Sequence, residues 1–230
     1  MLGILDDTSG LLAAARAANA GALDARELAR HAREVNRRLR VLTGIPRADR
    51  WTEVKSVLLR SVLTSARAFA AFTVVDCAFS LELDEEISYD TSAPRRNGAT
   101  IEALERADTV VVVGSADPLG LSRLIRALSE LAVVLPSGTP YLVVNRLRPG
   151  LGWDAEEVAV LVAQATGIAP AQILPSDPAA CDRALVLGRS LLESAPEAKL
   201  TRALRLLAAD LSGRVVPATA GRLAVLRRRR

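Results

Sequence analysis

The chain has 230 residues, half of them hydrophobic but only 3% aromatic, so one large domain with a core of Leu, Val, Ala and Ile is expected. No apolar run approaches the roughly 20 residues of a membrane-spanning helix, and a start that carries Asp6 and Asp7 without a cationic region is not expected to be a secretory signal peptide. Cys77 and Cys181 are far apart and His31 is the single histidine, which argues for a reduced, cytoplasmic protein and against a Cys/His metal site.

The net charge of +4 is unevenly placed. Arg214, Arg222, Arg227, Arg228, Arg229 and Arg230 fall in the last 17 residues, with no acid among them. Removing those six from 30 Lys and Arg leaves 24 against 26 Asp and Glu, about −2 for residues 1–213. The sequence therefore divides into a body, 1–213, and a basic tail, 214–230, expected to be disordered. The body has no evident nucleic-acid signature.

In chain order, "GLLAAARAANAG" reads as a helix. "DARELARHAREVNRRL" reads as a second, opening on Asp24 with Glu27 at the capping-box position. "RVLTG" (40–44) is a short strand running into a glycine turn. Residues 50–70 form a helix with Val54, Val57, Leu58 and Val62 at helical spacing. "FTVVDC" (72–77) is a buried strand ending in Asp76. A helix over 99–108 precedes the apolar strand 109–115, and Asp117 with Pro118 opens a helix to 135. Residues 140–147 form a strand, 154–167 a helix and 172–177 a last short strand, and two helices follow. Strands without alternation are buried on both faces, with helices as right-handed crossovers. The expected fold is a doubly wound, mostly parallel α/β sheet with helices on both faces.

Such sheets bind ligands beyond the carboxyl ends of their strands. Those ends carry Gly44 with Pro46 and Arg47, Asp76 with Cys77, Gly114 to Asp117, Asn145 with Arg146, and Pro175 to Asp177. Asp76 fits either a Mg²⁺ ligand or a turn cap. Asn145 offers donor and acceptor to a base edge, or a turn. "LPSDP" (174–178) fits either a loop wrapped around a base or an ordinary helix start.

The order of these segments resembles the deviant-Walker ATPases, the family of MinD septum-site-determining and ParA chromosome-partitioning proteins, and especially its actinobacterial and pilus-assembly CpaE-like branch. "FTVVDC", "ADTVVVVGSADPLGLSRLIRALSEL", "YLVVNRLRPG" and "ILPSDPAACDRALVLGRSLLESAPEAKLTRALRLLA" carry the resemblance, which covers residues 2 to about 212. It implies a P-loop NTPase fold and an ATP-driven dimeric switch for division, chromosome partitioning or pilus and secretion positioning. Asp76 then matches the Walker B acid on the Mg²⁺ side. Asn145, followed by Arg146, matches the adenine-facing asparagine, and Pro175 and Asp177 match the base-wrapping turn.

The family's phosphate loop, K-G-G-x-G-K-[ST], has no counterpart here. Lys55 and Lys199, the only lysines, follow no glycine. A P-loop lysine and hydroxyl neutralise phosphate charge and bind Mg²⁺, so the 230 residues are expected not to hydrolyse ATP, and their binding of ATP and Mg²⁺ should be much reduced. The family's loop, first helix and first two strands would precede Met1, and we expect a truncated ATPase, with a natural remnant as the alternative. Arg95 and Arg96 fit a phosphate or dimer contact, or a solvated loop. The tail arginines (Arg222, Arg227, Arg228, Arg229 and Arg230) are expected to touch anionic membrane or DNA weakly, giving a cytoplasmic protein peripheral at membrane or nucleoid. The rivals are a non-catalytic interaction scaffold of the same fold and a flavodoxin-like or Rossmann binding domain.

Overall fold

The structure, a computed structural model, describes residues 8–82 and 95–214. Two predicted features lie outside that range: most of the loop 84–97 and the basic tail beyond Arg214. The chain divides into two compact units. One comprises residues 2–112 and 122–141, the other residues 113–121 and 142–230.

The first unit is built on short helices. Helix α1 (Gly10–Asn19) starts where Ser9 accepts a hydrogen bond from the Leu12 N–H, and α2 (Ala25–His31) where Asp24 does so from Glu27. Each cap satisfies an N–H that the first helical turn leaves without a partner. Helix α3 (Ser56–Phe69) turns Leu59, Val62 and Ala66 inward. Leu59 joins Leu12, Val54 and Ala103 in one cluster, and Val62 and Ala66 join Ala14 and Leu28 in another. Burying each Leu or Val side chain stabilises the unit by about 1.5–3 kcal/mol. Helix α4 (Gly98–Arg106) brings Glu102 against α3, where Arg60 Nε reaches its Oε1 at 2.9 Å.

Three expectations fail in this unit. The helix expected over 24–39 stops at His31, and the chain turns back as a hairpin of β1 (Arg33–Asn36) and β2 (Leu39–Val41). The Asn36 side chain accepts from the Arg38 N–H at 2.9 Å, closing the turn, and Glu34 opposite Arg40 forms a cross-strand ion pair. The helix expected from 50 is a 3₁₀ turn (Ala48–Glu53) broken before α3, which leaves Val57 exposed. The third failure concerns the apolar run before Asp76. Residues 72–78 carry no strand assignment, and Val74 is 95% exposed. Among the described residues this run has no ladder partner, and an apolar sequence without one is not a strand.

The second unit contains the best-formed part of the sheet. Strands β3 (Val111–Ser115), β4 (Tyr141–Leu147) and β5 (Gln172–Pro175) stand in the order β3-β4-β5, and β4 and β5 pair in parallel. Leu142, Val143 and Val144 are buried, whereas β3 leaves Val113 58% exposed, so the expected burial on both faces holds for β4 and not for β3. Helix α5 (Pro118–Val134) follows β3, although Val111, Val112, Tyr141 and α5 from Ser122 onward belong to the first unit, and α6 (Ala155–Thr166) follows β4 behind a complete Asp154–Glu157 capping box. After β5 come α7 (Pro178–Leu187), the short α8 (Leu191–Ser194) and α9 (Lys199–Leu211). Helices alternating with parallel strands make this the α/β fold expected from the sequence.

Candidate functional site

The carboxyl ends of β3, β4 and β5 are all in the second unit, so that edge can be assembled from its bonds. The Ala116 N–H, just past β3, donates to the Asn145 carbonyl at 2.7 Å, and the Ser176 N–H, just past β5, donates to the Leu147 carbonyl at 2.8 Å. These two bonds pin the turns after β3 and β5 to either side of the end of β4. The pairing of β4 with β5 shifts register between Val144 and Leu147, where Asn145 and Arg146 lie. Arg146 has φ +64°, the one non-glycine residue with positive φ among those described. Left-handed backbone costs a non-glycine residue about 1–2 kcal/mol, and a bulge re-aims the side chains beside it.

Asn145 is fixed at its backbone and at its side chain. Its Oδ1 accepts from the Arg146 N–H at 2.7 Å, while its Nδ2 donates to no group among the described residues. Pro175 stands opposite Leu147 in the ladder. Asp177 caps α7, accepting from the Ala180 N–H at 3.2 Å, so the ordinary helix-start role is filled. On the β3 side Asp117 accepts from Ser115 Oγ at 2.5 Å and from the Gly120 N–H at 2.9 Å. The Ser115 hydroxyl, then the Gly120 amide and the charge of Arg148, hold its carboxyl below the usual range. Gly120 is required there, because a Cβ would come within 2.6 Å of the Ser115 carbonyl oxygen.

Of the predicted site residues, Asn145, Arg146, Pro175 and Asp177 thus share the edge formed by two neighbouring strands. Asp76 belongs to the first unit, exposed at the end of its unpaired run. The next residue, Cys77, packs on the Leu12–Val54–Leu59–Ala103 cluster, and burial, aided by the Asp76 charge, pushes its thiol up. The sequence reading missed the Arg146 bulge and the charge of Arg148. No glycine marks position 146, so a left-handed residue there left no signal.

An open groove of about 630 Å³, lined in part by Leu104, Asp108, Leu131, Leu135 and Tyr141, is in the first unit. It lies at the amino ends of β3 and β4, whereas open α/β sheets bind ligands beyond the carboxyl ends, and it is not part of the candidate site.

Comparison with known proteins bears on the fold. No protein-family model matches the chain, and no curated protein is significantly similar in sequence. Among solved structures, a ParA family ATPase from Chlorobium tepidum TLS superposes with a TM-score of 0.69 at 15% identity, covering 93% of this chain and 79% of that one. At that identity the likeness establishes the fold alone: an α/β chain with the fold of that ParA family ATPase. No helix among the described residues is long and apolar enough to cross a membrane.

Proposed function

We propose that the chain is a ParA/MinD-like nucleotide-binding switch protein that serves division, partitioning or secretion positioning and is inactive in hydrolysis as these 230 residues stand. The observation that carries the reading is the β4–β5 edge. Asn145 is clamped there beside Pro175 and Asp177, on a fold shared with a ParA family ATPase. In this reading Asn145, Arg146, Pro175 and Asp177 form the base wall of a purine site. Asp76 is a Mg²⁺ ligand on the resemblance alone, and a homodimer, weak tail contact with anionic membrane or DNA and a cytoplasmic, peripheral location follow from the resemblance and the basic tail. When bound, Mg²⁺ would neutralise phosphate charge. The chain's own residues orient the base, and no Gly-Lys-Ser/Thr loop among the 230 cradles a triphosphate.

This makes an unusual affinity pattern the expected outcome. Phosphoryl transfer depends on a phosphate cradle for positioning and charge neutralisation, so ATP with Mg²⁺ should bind no more than about tenfold tighter than adenosine, a difference of about 1.4 kcal/mol. Titration calorimetry of purified 1–230 with each ligand, beside a phosphate-release assay, is the test. Mg²⁺-dependent turnover would overturn the inactive state, and failure of either ligand to saturate would overturn the base wall.

A second reading, a non-catalytic interaction scaffold of the same fold, is favoured by one observation. Val74 and Phe79 are 95% and 98% exposed, beside an exposed Phe72, and clustered apolar exposure marks protein contact surfaces. Sedimentation that shows self-association or partner capture abolished by Val74→Asp, together with no nucleotide binding, would select it.

A further inference from the structure

The three-stranded sheet has two edges, and they are finished differently. At one edge β5 packs against α9, buries Leu174 and ends in Pro175, and a short, covered strand that closes on proline resists further pairing. At the other, β3 has β4 as its single ladder neighbour among the described residues. Two bonds that bracket β3 fix which of its backbone groups face β4. The Tyr141 N–H donates to the Val110 carbonyl at 2.8 Å, and the Ala116 N–H to the Asn145 carbonyl at 2.7 Å. Successive residues of a strand point their N–H and C=O to opposite sides, so the even positions face β4 and Val111, Val113 and Ser115 face outward. Those three make no backbone bond outside the sheet among the described residues. Val111 is 39% and Val113 58% exposed. The stretch "VVVVGS" (110–115) has neither a charge nor a proline, the devices that ordinarily keep sheet edges apart.

We propose that the outer edge of β3 is a self-pairing surface, through which two copies of the chain join β3 to β3, antiparallel, about a two-fold axis at Val113. Directly opposite residues of an antiparallel hydrogen-bonded pair exchange both N–H···O bonds at a Cα separation of about 5.5 Å. With Val113 opposite Val113 of the second copy, Val111 falls opposite Ser115. All three outward-facing residues then find partners in one register, and the three strands of each copy continue as a single sheet. Charge permits this register: the nearest charged residues along the chain, Asp108 and Asp117, lie outside β3, so no like charges stand opposite within the ladder. The same patch serves on both copies, and such a contact closes at two. Its area, set by one short strand a side, falls at the low end for specific interfaces, below about 1,200 Å² in total. The dimer is therefore weak, with a dissociation constant on the order of 100 μM. It needs no nucleotide and does not depend on the base wall.

The test is sedimentation velocity of the full chain from about 10 μM to about 1 mM, a range that brackets that constant. Wild type is expected to rise from the mass of one chain toward that of two and to stop there. Val113→Lys sets an ammonium opposite its copy and should stay monomeric throughout, with an unchanged circular dichroism spectrum, because the side chain it replaces is already exposed. Val74→Asp, on the exposed run of the first unit, should associate as wild type does. A second readout guards against a lysine variant that misfolds. Val113→Cys, oxidised with copper phenanthroline, should form a covalent dimer beyond the wild-type level set by Cys77 and Cys181, since a Cα separation of about 5.5 Å suits a disulfide. Val111→Cys should crosslink far more slowly, because the two copies of residue 111 stand four residues apart along the ladder, about 13 Å. A wild type monomeric at the highest concentration, or Val113→Lys associating like wild type, would overturn the proposal. Assemblies that grow past two copies, or equal crosslinking at 111 and 113, would overturn it as well. Association lost in Val74→Asp and kept in Val113→Lys would overturn it in favour of the exposed run as the contact.

Discussion

"FTVVD" at 72–76 and "YLVVN" at 141–145 are nearly the same sentence in amino acids, an aromatic residue and a run ending in two valines, closed by a strand-end polar residue. The structure treats them oppositely. Val143 is fully buried in β4, which pairs with β5, whereas Val74, the matching position, is 95% exposed and its run has no ladder partner among the described residues. Composition alone therefore does not make a strand. Ladder bonds from neighbours and side-chain cover do, and β-propensity reports mostly that context.

The sharpest way to break this comparison is to place a charge at each matched position. Val143→Asp buries an unpaired carboxylate and should cost about 4 kcal/mol or more, enough to unfold a typical domain, as urea denaturation followed by circular dichroism would show. Second in size come the two glycines where chain elements cross most closely. A Cβ at Gly120 would meet the Ser115 carbonyl oxygen at 2.6 Å, and one at Gly10 would meet the His31 carbonyl oxygen at 2.5 Å. Gly→Ala at either position should cost about 2–3 kcal/mol, because backbone rather than a flexible side chain has to move. A pair of melts, one variant in each unit, checks whether both units are equally tightly built.

An intermediate effect is expected at Glu102 in the first unit. Its side chain is only 5% exposed, and Arg60 and then Arg106 donate to it, which holds its carboxyl below the usual range. A depressed carboxyl contributes stability above its unfolded pKa of about 4.3 and loses it as pH falls through the lower folded value. Glu102→Gln should therefore cost about 1–2 kcal/mol at neutral pH, with the half-exposed arginines limiting the loss. The gap from wild type should start to narrow as pH falls below about 4.3 and close only once the lowered folded-state carboxyl is itself protonated. A gap that does not narrow as the pH is lowered below about 4.3 would contradict the charge-based account. The smallest effect belongs to Val74→Asp, within about 0.5 kcal/mol of wild type on urea denaturation, as for an ordinary surface substitution.

Legibility in the sequence follows the same division. Helix α4, strands β3, β4 and β5, and helices α5, α6, α7 and α9 fall within one to three residues of where periodicity, caps and turn residues placed them. Each carries its own punctuation, such as Asp117–Pro118, Asp154 with Glu157, and Asp177–Pro178. Residues 24–39 misled because "HAREVNRRL" carries helix-compatible charges at Arg33, Glu34, Arg37 and Arg38, while the turn at Asn36 and the pairing of Glu34 with Arg40 depend on geometry that only a folded hairpin supplies. At the candidate site, residue identity and strand-end position were legible. The Arg146 bulge was not. A left-handed arginine is chosen by the bonds around it, and the letters "NRLRPG" do not record them.

The central claim, a base-binding wall on the β4–β5 edge without a working phosphate cradle, is most directly tested by mapping backbone amide shifts of the ¹⁵N-labelled chain during an adenosine titration. The account predicts saturable shifts concentrated at Ala116, Asn145, Arg146, Ser176 and Asp177, with no larger set when ATP and Mg²⁺ replace adenosine. Shifts scattered over the chain, or centred on the groove lined by Leu131, Leu135 and Tyr141, would contradict it.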